Sequence, residues 1–545
     1  MFGGSRRDRT VRRQLAIAAA AGGIALASSS ANAQLRTDEV LVVYDSRIPE
    51  SQAVAEMYAG SRPMGLPGSE PGLRRGVRVV NLAALGAPAP PTGTISYPDF
   101  VTRLRTPLQT YLTSTGLSKR VRCLVMTKGL PHRVQDTDAG DAGDNPGVLV
   151  QELTANDSTS ASVDAELTLL WQELNTGEAG GPSDSKADGL IQNPYWKAVT
   201  PIQITTQANN EVDKLYTASG IGPVWLPAGS VGVSTRLAAG DIYLVCRLDA
   251  PSLADVRGMI ERARRTYYDI PNSALLLDES DSDGIANGAA NAELDNSSSG
   301  FPNLWDSDDY ERTRDETNAD GRMPALTRYN ALGGGAQFFV GPRIVWQPPG
   351  AITITQNVVL VASLGSNHTG RPRRDSDGAL ADTFYATSFN YGDGAIFNTI
   401  ESYNGRDFGG LGLGSTPQQQ ASSFLSAGGT YAIGNVWEPI ADSVPDNRYL
   451  ARNFIRGTLS WAEASWSAIP ALSWMQISVG DPLGRAQRSS EDIDANRRVN
   501  VDDLYAWEAF PRDINASGAA DATDRAFVVN ALRAWERSDI ESGRQ

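Results

Sequence analysis

"DIYLVCRLDAPSLADVRGMIERARRTY", from Asp241 to Tyr267, places a strand and a helix in immediate succession. Ile242 to Leu248 is an almost unbroken apolar run, the pattern of a strand buried on both faces. Ser252 then offers a helix N-cap, Asp255 an early acid, and Arg262, Arg264 and Arg265 late bases, so the sequence marks both helix ends. A buried strand passing through a short polar loop into a helix is the unit from which parallel sheets are built.

Working outward, the same alternation recurs. "EVLVVYDSRIPES" (from Glu39) reads as a strand and "SQAVAEMYAG" (from Ser51) as a helix. "GVRVVNL" (from Gly76), "RVRCLVMTKGLPHRV" (from Arg120), "SALLLDE" (from Ser273), "NVVLVASLG" (from Asn357) and "TYAIGNVWEP" (from Thr430) read as further strands. "ASVDAELTLLWQEL" (from Ala161) reads as a helix capped by Ser162, and "TLSWAEASWSAI" (from Thr458) as another. The expectation is an α/β fold with a mostly parallel sheet and helices on both faces. Gly-, Asp- and Ser-rich insertions interrupt it from Asp136, Asp278 and Gly409, and residues 301–330 are polar and carry no clear pattern.

In parallel sheets the loops at the strands' carboxyl ends form the ligand crevice. The loops after Val43, Met126, Leu248 and Val361 are therefore the expected rim. Asp45, Asp249, His368 and Glu438 follow strands. Asp164 and Glu166 lie at a helix start, two apart, so they do not share one helix face. His132 and His368 are the two histidines of the chain. Too few to make an ordinary zinc site, they read first as loop residues, with a base or ligand as the alternative. "LGGGAQFFVG" and "GGLGLG" lack the flanking pattern of a phosphate loop and read as connections. The catalytic residues, if the domain has any, are not identified by spacing.

The N-terminus has a different composition. "SRRDRTVRR" (Ser5 to Arg13) precedes an apolar run, Leu15 to Ala27, and then Ala31-Asn32-Ala33. This is the organisation of a secretory signal peptide, residues 1–33, cleaved after Ala33. Arg12-Arg13 adds the option of twin-arginine export. The segment takes five Arg and one Asp with it, so the formal charge moves from −15 to −19. So acidic a surface disfavours nucleic acid and anionic membranes and suits divalent cations. No later stretch is long and apolar enough to span a bilayer. Location is expected outside the cytoplasm: secreted, periplasmic or at the cell surface. With two cysteines, Cys123 and Cys246, both in expected strands, a disulfide framework is absent. Two buried thiols are the reading, with a single bridge as the alternative.

The last 55 residues repeat a motif. "DIDANRRVNVDD" from Asp492 and "DINASGAADATD" from Asp513 each put oxygen-bearing residues at alternate positions and end on Asp. A calcium loop draws its six to eight oxygens from positions 1, 3, 5, 7 (a carbonyl), 9 and 12. In the first loop these are Asp492, Asp494, Asn496, Arg498, Asn500 and Asp503. In the second they are Asp513, Asn515, Ser517, Ala519, Asp521 and Asp524. Each loop runs into a helical stretch. Position 6 is Gly518 in the second loop but Arg497 in the first, where a positive φ would strain a side chain.

The duplicated loop–helix over residues 491–538 resembles a type I dockerin. That resemblance implies Ca2+ as cofactor and a cohesin-like or other extracellular protein as partner. The positions corresponding to the family's recognition pair are Val501 and Asp502, then Ala522 and Thr523, which depart from its Ser-Thr pattern. Residues 485–490 then read as a linker and 539–545 as a tail. The α/β domain, 34–484, resembles an uncharacterised family of exported bacterial proteins through "VVYDSRIPES", "LVMTKGLPHRV", "GNVWEP" and "PALSWMQISVGDPL". Its end is also similar to gingipain-type, caspase-like peptidases. The matching nucleophile region, "AIFNTIESYNGRDF" from Ala395, holds no Cys, so the Cys/His dyad is missing. Two functions stand: a secreted calcium-binding docking protein, and an extracellular hydrolase of polysaccharide or peptide carried by a dockerin.

Overall fold

A computed structural model describes residues 34–61, 70–135, 160–175, 191–202, 211–213, 238–278, 309–324, 326–330, 338–343, 351–363, 384–401, 403–408, 420–437 and 444–542. The expected signal segment, His368 and Glu438 lie outside them.

Ten strands form one sheet. In chain order they are β1 (Val40–Tyr44), β2 (Arg78–Asn81), β3 (Cys123–Thr127), β4 (Leu244–Leu248), β5 (Ser273–Asp278), β6 (Leu326–Asn330), β7 (Asn357–Ser363), β8 (Tyr391–Phe397), β9 (Tyr431–Asn435) and β10 (Gln476–Val479). Their order across the sheet is β6-β5-β7-β8-β9-β10-β4-β3-β1-β2. Every neighbouring pair is parallel except β9 and β10. The sheet is thus two five-stranded parallel blocks running in opposite directions, joined at that one antiparallel seam.

The seam corrects the expected rim. The carboxyl ends of β1, β3 and β4 share one edge, while Val361, in β7, belongs to the other block and opens on the opposite edge. One crevice built from all four loops is ruled out by topology.

Helices cover both faces. Arg247 and Cys246 are adjacent in β4 and so point to opposite sides. Arg247 pairs with Asp164 on helix α2 (Val163–Thr168). Cys246 meets Ser478, which hydrogen-bonds Ser465 of α4 (Trp461–Ala468) at 2.8 Å. Helices α1 (Pro49–Ala59) and α3 (Leu253–Ala263) follow β1 and β4 directly. In α3, Ser252 and Asp255 form a capping box, as its sequence predicts. Helix α2 is shorter than its sequence suggests, ending at Thr168. Arg105 and Gln109 take the carbonyls of Leu170 and Gln172, which draws the chain out of the helix. The unpatterned 301–330 region contains a helix, Asp309–Asn318, and the edge strand β6. Cys123 and Cys246 are both buried and free.

Residues 485–490 are built into the domain instead of linking it. Gln487 and Arg488 pair as a short parallel strand with Tyr267 and Tyr268. Arg488 is buried on Glu491 and on the carbonyls of Ile455 and Gly457. Beyond them, α5 (Val501–Ala509) and α6 (Ala522–Ser542) enclose a separate small core of Ile493, Trp507, Ile514 and Val528.

Candidate functional site

The two C-terminal loops share one scheme of hydrogen bonds from backbone N–H groups to the side chains at positions 1, 9 and 12. At position 1, Asp492 accepts the backbone N–H groups of Asn496 (3.0 Å) and Arg497 (2.7 Å), while Asp513 accepts those of Ser517 (2.9 Å) and Gly518 (2.6 Å). At position 12, one oxygen of Asp503 accepts from Ile493 (2.6 Å) and Asp494 (3.2 Å), and the other from Asn500 (2.7 Å). Asp524 does the same with Ile514, Asn515 and Asp521. At position 9, Asn500 and Asp521 each cap the following helix through the N–H of Asp502 or Thr523. Positions 4 and 6 are left-handed in both: Ala495 (φ 59°), Arg497 (66°), Ala516 (59°) and Gly518 (97°).

These bonds set which lone pairs remain. A carboxylate has about four acceptor positions, and the backbone takes three of those on Asp503. In the first loop the carboxylates of Asp492, Asp494 and Asp503 offer oxygens all within 4.8 Å of one another. Asp492 and Asp503 are buried and Asp494 is exposed. An all-oxygen set of this kind fits a hard divalent cation. The second loop has Asn515 and Ser517 at positions 3 and 5 but Asp521 at position 9, so each loop carries three carboxylates among its ligand positions. Arg497, expected to strain its loop, has its guanidinium 5.0 Å above the ring of Tyr267, a residue of the α/β domain. Left-handed backbone costs about 1–2 kcal/mol for such a residue, and a cation–π contact offsets about 0.5–1 kcal/mol or more.

At the carboxyl edge of β1, β3 and β4 lies a cleft of about 260 Å³, lined among others by Glu50, Lys128, His132, Asp249 and Phe408. Lys128 Nζ donates to the carbonyls of Ala250 (2.8 Å) and Phe408 (3.0 Å) and sits 3.5 Å from Asp249 and 4.0 Å from Glu50. His132 Nε2 is 2.7 Å from the Arg406 carbonyl. A carbonyl only accepts, so Nε2 carries the proton and Nδ1 is a bare acceptor. Burial, reinforced by Arg247 and Arg133, keeps this imidazole neutral well below its usual range. Burial also pushes Asp249 up to about 6, against the opposing charges of Lys128 and Arg247.

The other sequence-derived candidates are not brought to this cleft. Asp45 is clamped by Arg47 at 2.5 Å, and Arg47 outweighs the effect of burial to lower its pKa. Asp164 is buried against Arg247 at 2.6 Å; burial raises it and Arg247 opposes. Glu166 accepts a hydrogen bond from Ser473. Lys128 and Glu50 were not singled out by the sequence; a lone Lys after a strand, in "TKGLP", carries no periodic signal.

The raised Asp249 has a consequence for stability. A carboxyl that holds its proton more tightly when folded makes the protein lose stability as pH rises from about 4 to about 6. Asp249→Asn is expected to flatten that part of the urea-midpoint profile. An unchanged slope would mean that Asp249 ionises as an ordinary acid. Comparison of the chain with family models, with curated proteins and with solved structures returned no match in any of the three.

Proposed function

We propose that residues 491–538 are a calcium-binding docking module of the dockerin type, carried at the end of an exported α/β protein. The observation behind this reading is the duplication. Two loops of unlike sequence share one scheme of carboxylate–backbone hydrogen bonds and one pair of left-handed positions. Chance acidic turns have no reason to agree at that level. A protein partner is favoured by the outer surface of α5, where Val501, Tyr505 and the adjacent Phe510 are 42%, 64% and 78% exposed. No helix among the described residues is long and apolar enough to cross a membrane. The test is calorimetry of the chain from Gln34, stripped by chelator and titrated with calcium. Two binding events are expected, and a flat titration would sink the assignment.

The cleft supports a second reading, an extracellular hydrolase acting on peptide or glycan. Two nine-tenths-buried residues with acceptor atoms, Asp249 and His132, line one concavity. On the caspase-like likeness, the end of β8 would hold the nucleophile. There Thr399 is buried and bonded to Glu401 at 2.7 Å, with no thiol. The cleft is the better place for chemistry. Under this reading, activity on a panel of peptide and glycan substrates is lost in Asp249→Asn. Equal turnover by the variant would remove the cleft from consideration.

A further inference from the structure

The first loop is held against the α/β domain by one of its own proposed ligands. Tyr267 donates its hydroxyl to Asp492 Oδ2 at 2.7 Å. The same oxygen accepts the Arg497 N–H at 2.7 Å, and Oδ1 accepts from Asn496 at 3.0 Å. Oδ2 is therefore filled twice, and Asp492 is left to turn its remaining Oδ1 lone pair inward. Arg497 lies over the Tyr267 ring at 5.0 Å. One tyrosine thus gives the position-1 carboxylate a donor from the α/β domain, for which Asp513 has no counterpart among the described residues, and packs beneath the residue that replaces glycine at position 6. Tyr267 is fixed in turn: the Gln487 N–H donates to the Thr266 carbonyl and Ser489 N–H to that of Tyr268.

The second loop meets the domain differently. The Gly321 N–H donates to the backbone carbonyl of Asn515 at 3.2 Å, and Arg322 sits 3.6 Å over the ring of Phe527. Among the described residues no ligand-position side chain of that loop bonds the α/β domain.

We propose that Tyr267 is a positioning residue that makes the first loop a composite site of both domains, so that cation binding there and seating of the C-terminal module reinforce each other. This rests on the calcium reading above. Groups that orient a metal's ligands typically change affinity 10–100-fold when removed. Coupling between binding and docking is reciprocal, so calcium must tighten the seat as much as the seat tightens calcium. The second loop, lacking such a contact, binds independently of Tyr267.

The test uses the chain from Gln34 and calcium itself as the probe. Tyr267→Phe keeps the ring beneath Arg497 and removes only the hydroxyl. By calorimetry it is expected to weaken one of two sites by about tenfold and leave the other unchanged. Asp492→Ala and Asp513→Ala identify which site belongs to which loop; the weakened one is the site that Asp492→Ala abolishes. Amide exchange gives the reciprocal readout. Calcium is expected to slow exchange of the Gln487 and Ser489 N–H groups in the unsubstituted chain and in Asp513→Ala, but not in Asp492→Ala. A merely structural tyrosine would lower stability equally with and without calcium. Two unchanged affinities in Tyr267→Phe would overturn the coupling while leaving the calcium reading intact. No heat from the unsubstituted chain would overturn both.

Discussion

Asp481→Ala is expected to lower the unfolding free energy of this protein by about 3–5 kcal/mol, the usual effect of leaving a buried charge without its partner. Asp481 follows β10 at the centre of the sheet and is fully buried. One of its oxygens accepts from Arg74 Nε at 2.7 Å and lies 2.6 Å from Nη2; the other accepts from Tyr58 at 2.7 Å and from the Leu483 N–H at 3.0 Å. Arg74 is equally buried and permanently charged. Removing the carboxylate takes an acceptor from that guanidinium and from the Tyr58 hydroxyl together. Equilibrium urea unfolding reads the loss as a lowered midpoint. Asp481→Asn restores an acceptor for Tyr58 and Leu483 but not the charge, so it should fall between. Replacing Arg74 and Asp481 together by Met and Leu should recover most of the loss, because no unpaired charge remains. A single alanine variant within about 1 kcal/mol of the parent would mean that water reaches Arg74.

The same cluster shows what the sequence conceals. Strands such as Val40–Tyr44 and Leu244–Leu248 are legible because burial on both faces demands continuous apolar residues, and all of Val40 to Val43 are fully buried. Helix α3 is legible because its caps are local. Strand direction is not local. β9 reads as a strand, the run that becomes β10 was not read as one, and only their pairing in the sheet reveals the reversal. The single rim expected after Val43, Met126, Leu248 and Val361 failed for that reason. Asp45 and Asp164 looked like site residues because they follow or begin elements at an edge. Arg47 and Arg247, which neutralise them, carry no pattern that pairs them in advance. After the two acidic loops, the helices that follow were legible from the sequence. The contact of Arg497 with Tyr267, distant in sequence, was not.

Calcium at a hundredfold excess over its dissociation constant is expected to add about 2.7 kcal/mol for each filled loop, provided the unfolded chain does not bind it. Both loops together then add about 5 kcal/mol, read as a shift in urea midpoint between chelated and loaded samples. Asp492→Ala and Asp513→Ala should each remove about half of that difference, and the double variant nearly all of it. The comparison must be between differences. Without a cation, Asp492, Asp494 and Asp503 crowd three carboxylates within 4.8 Å, so removing one relieves repulsion while also breaking the hydrogen bonds to Asn496, Arg497 and Tyr267. The stability of the chelated variant can therefore move either way. Its response to calcium cannot, because on the proposed reading position 1 supplies a charged ligand in both loops. Magnesium supplies the control: it demands near-ideal octahedral geometry and gives up water reluctantly, so loops that bind calcium as proposed should gain much less from it. Identical unfolding in chelator and in excess calcium would show the two acidic loops to be turns held together by their own backbone, and would leave the cleft at Lys128 and Asp249 as the only chemistry this fold presents among its described residues.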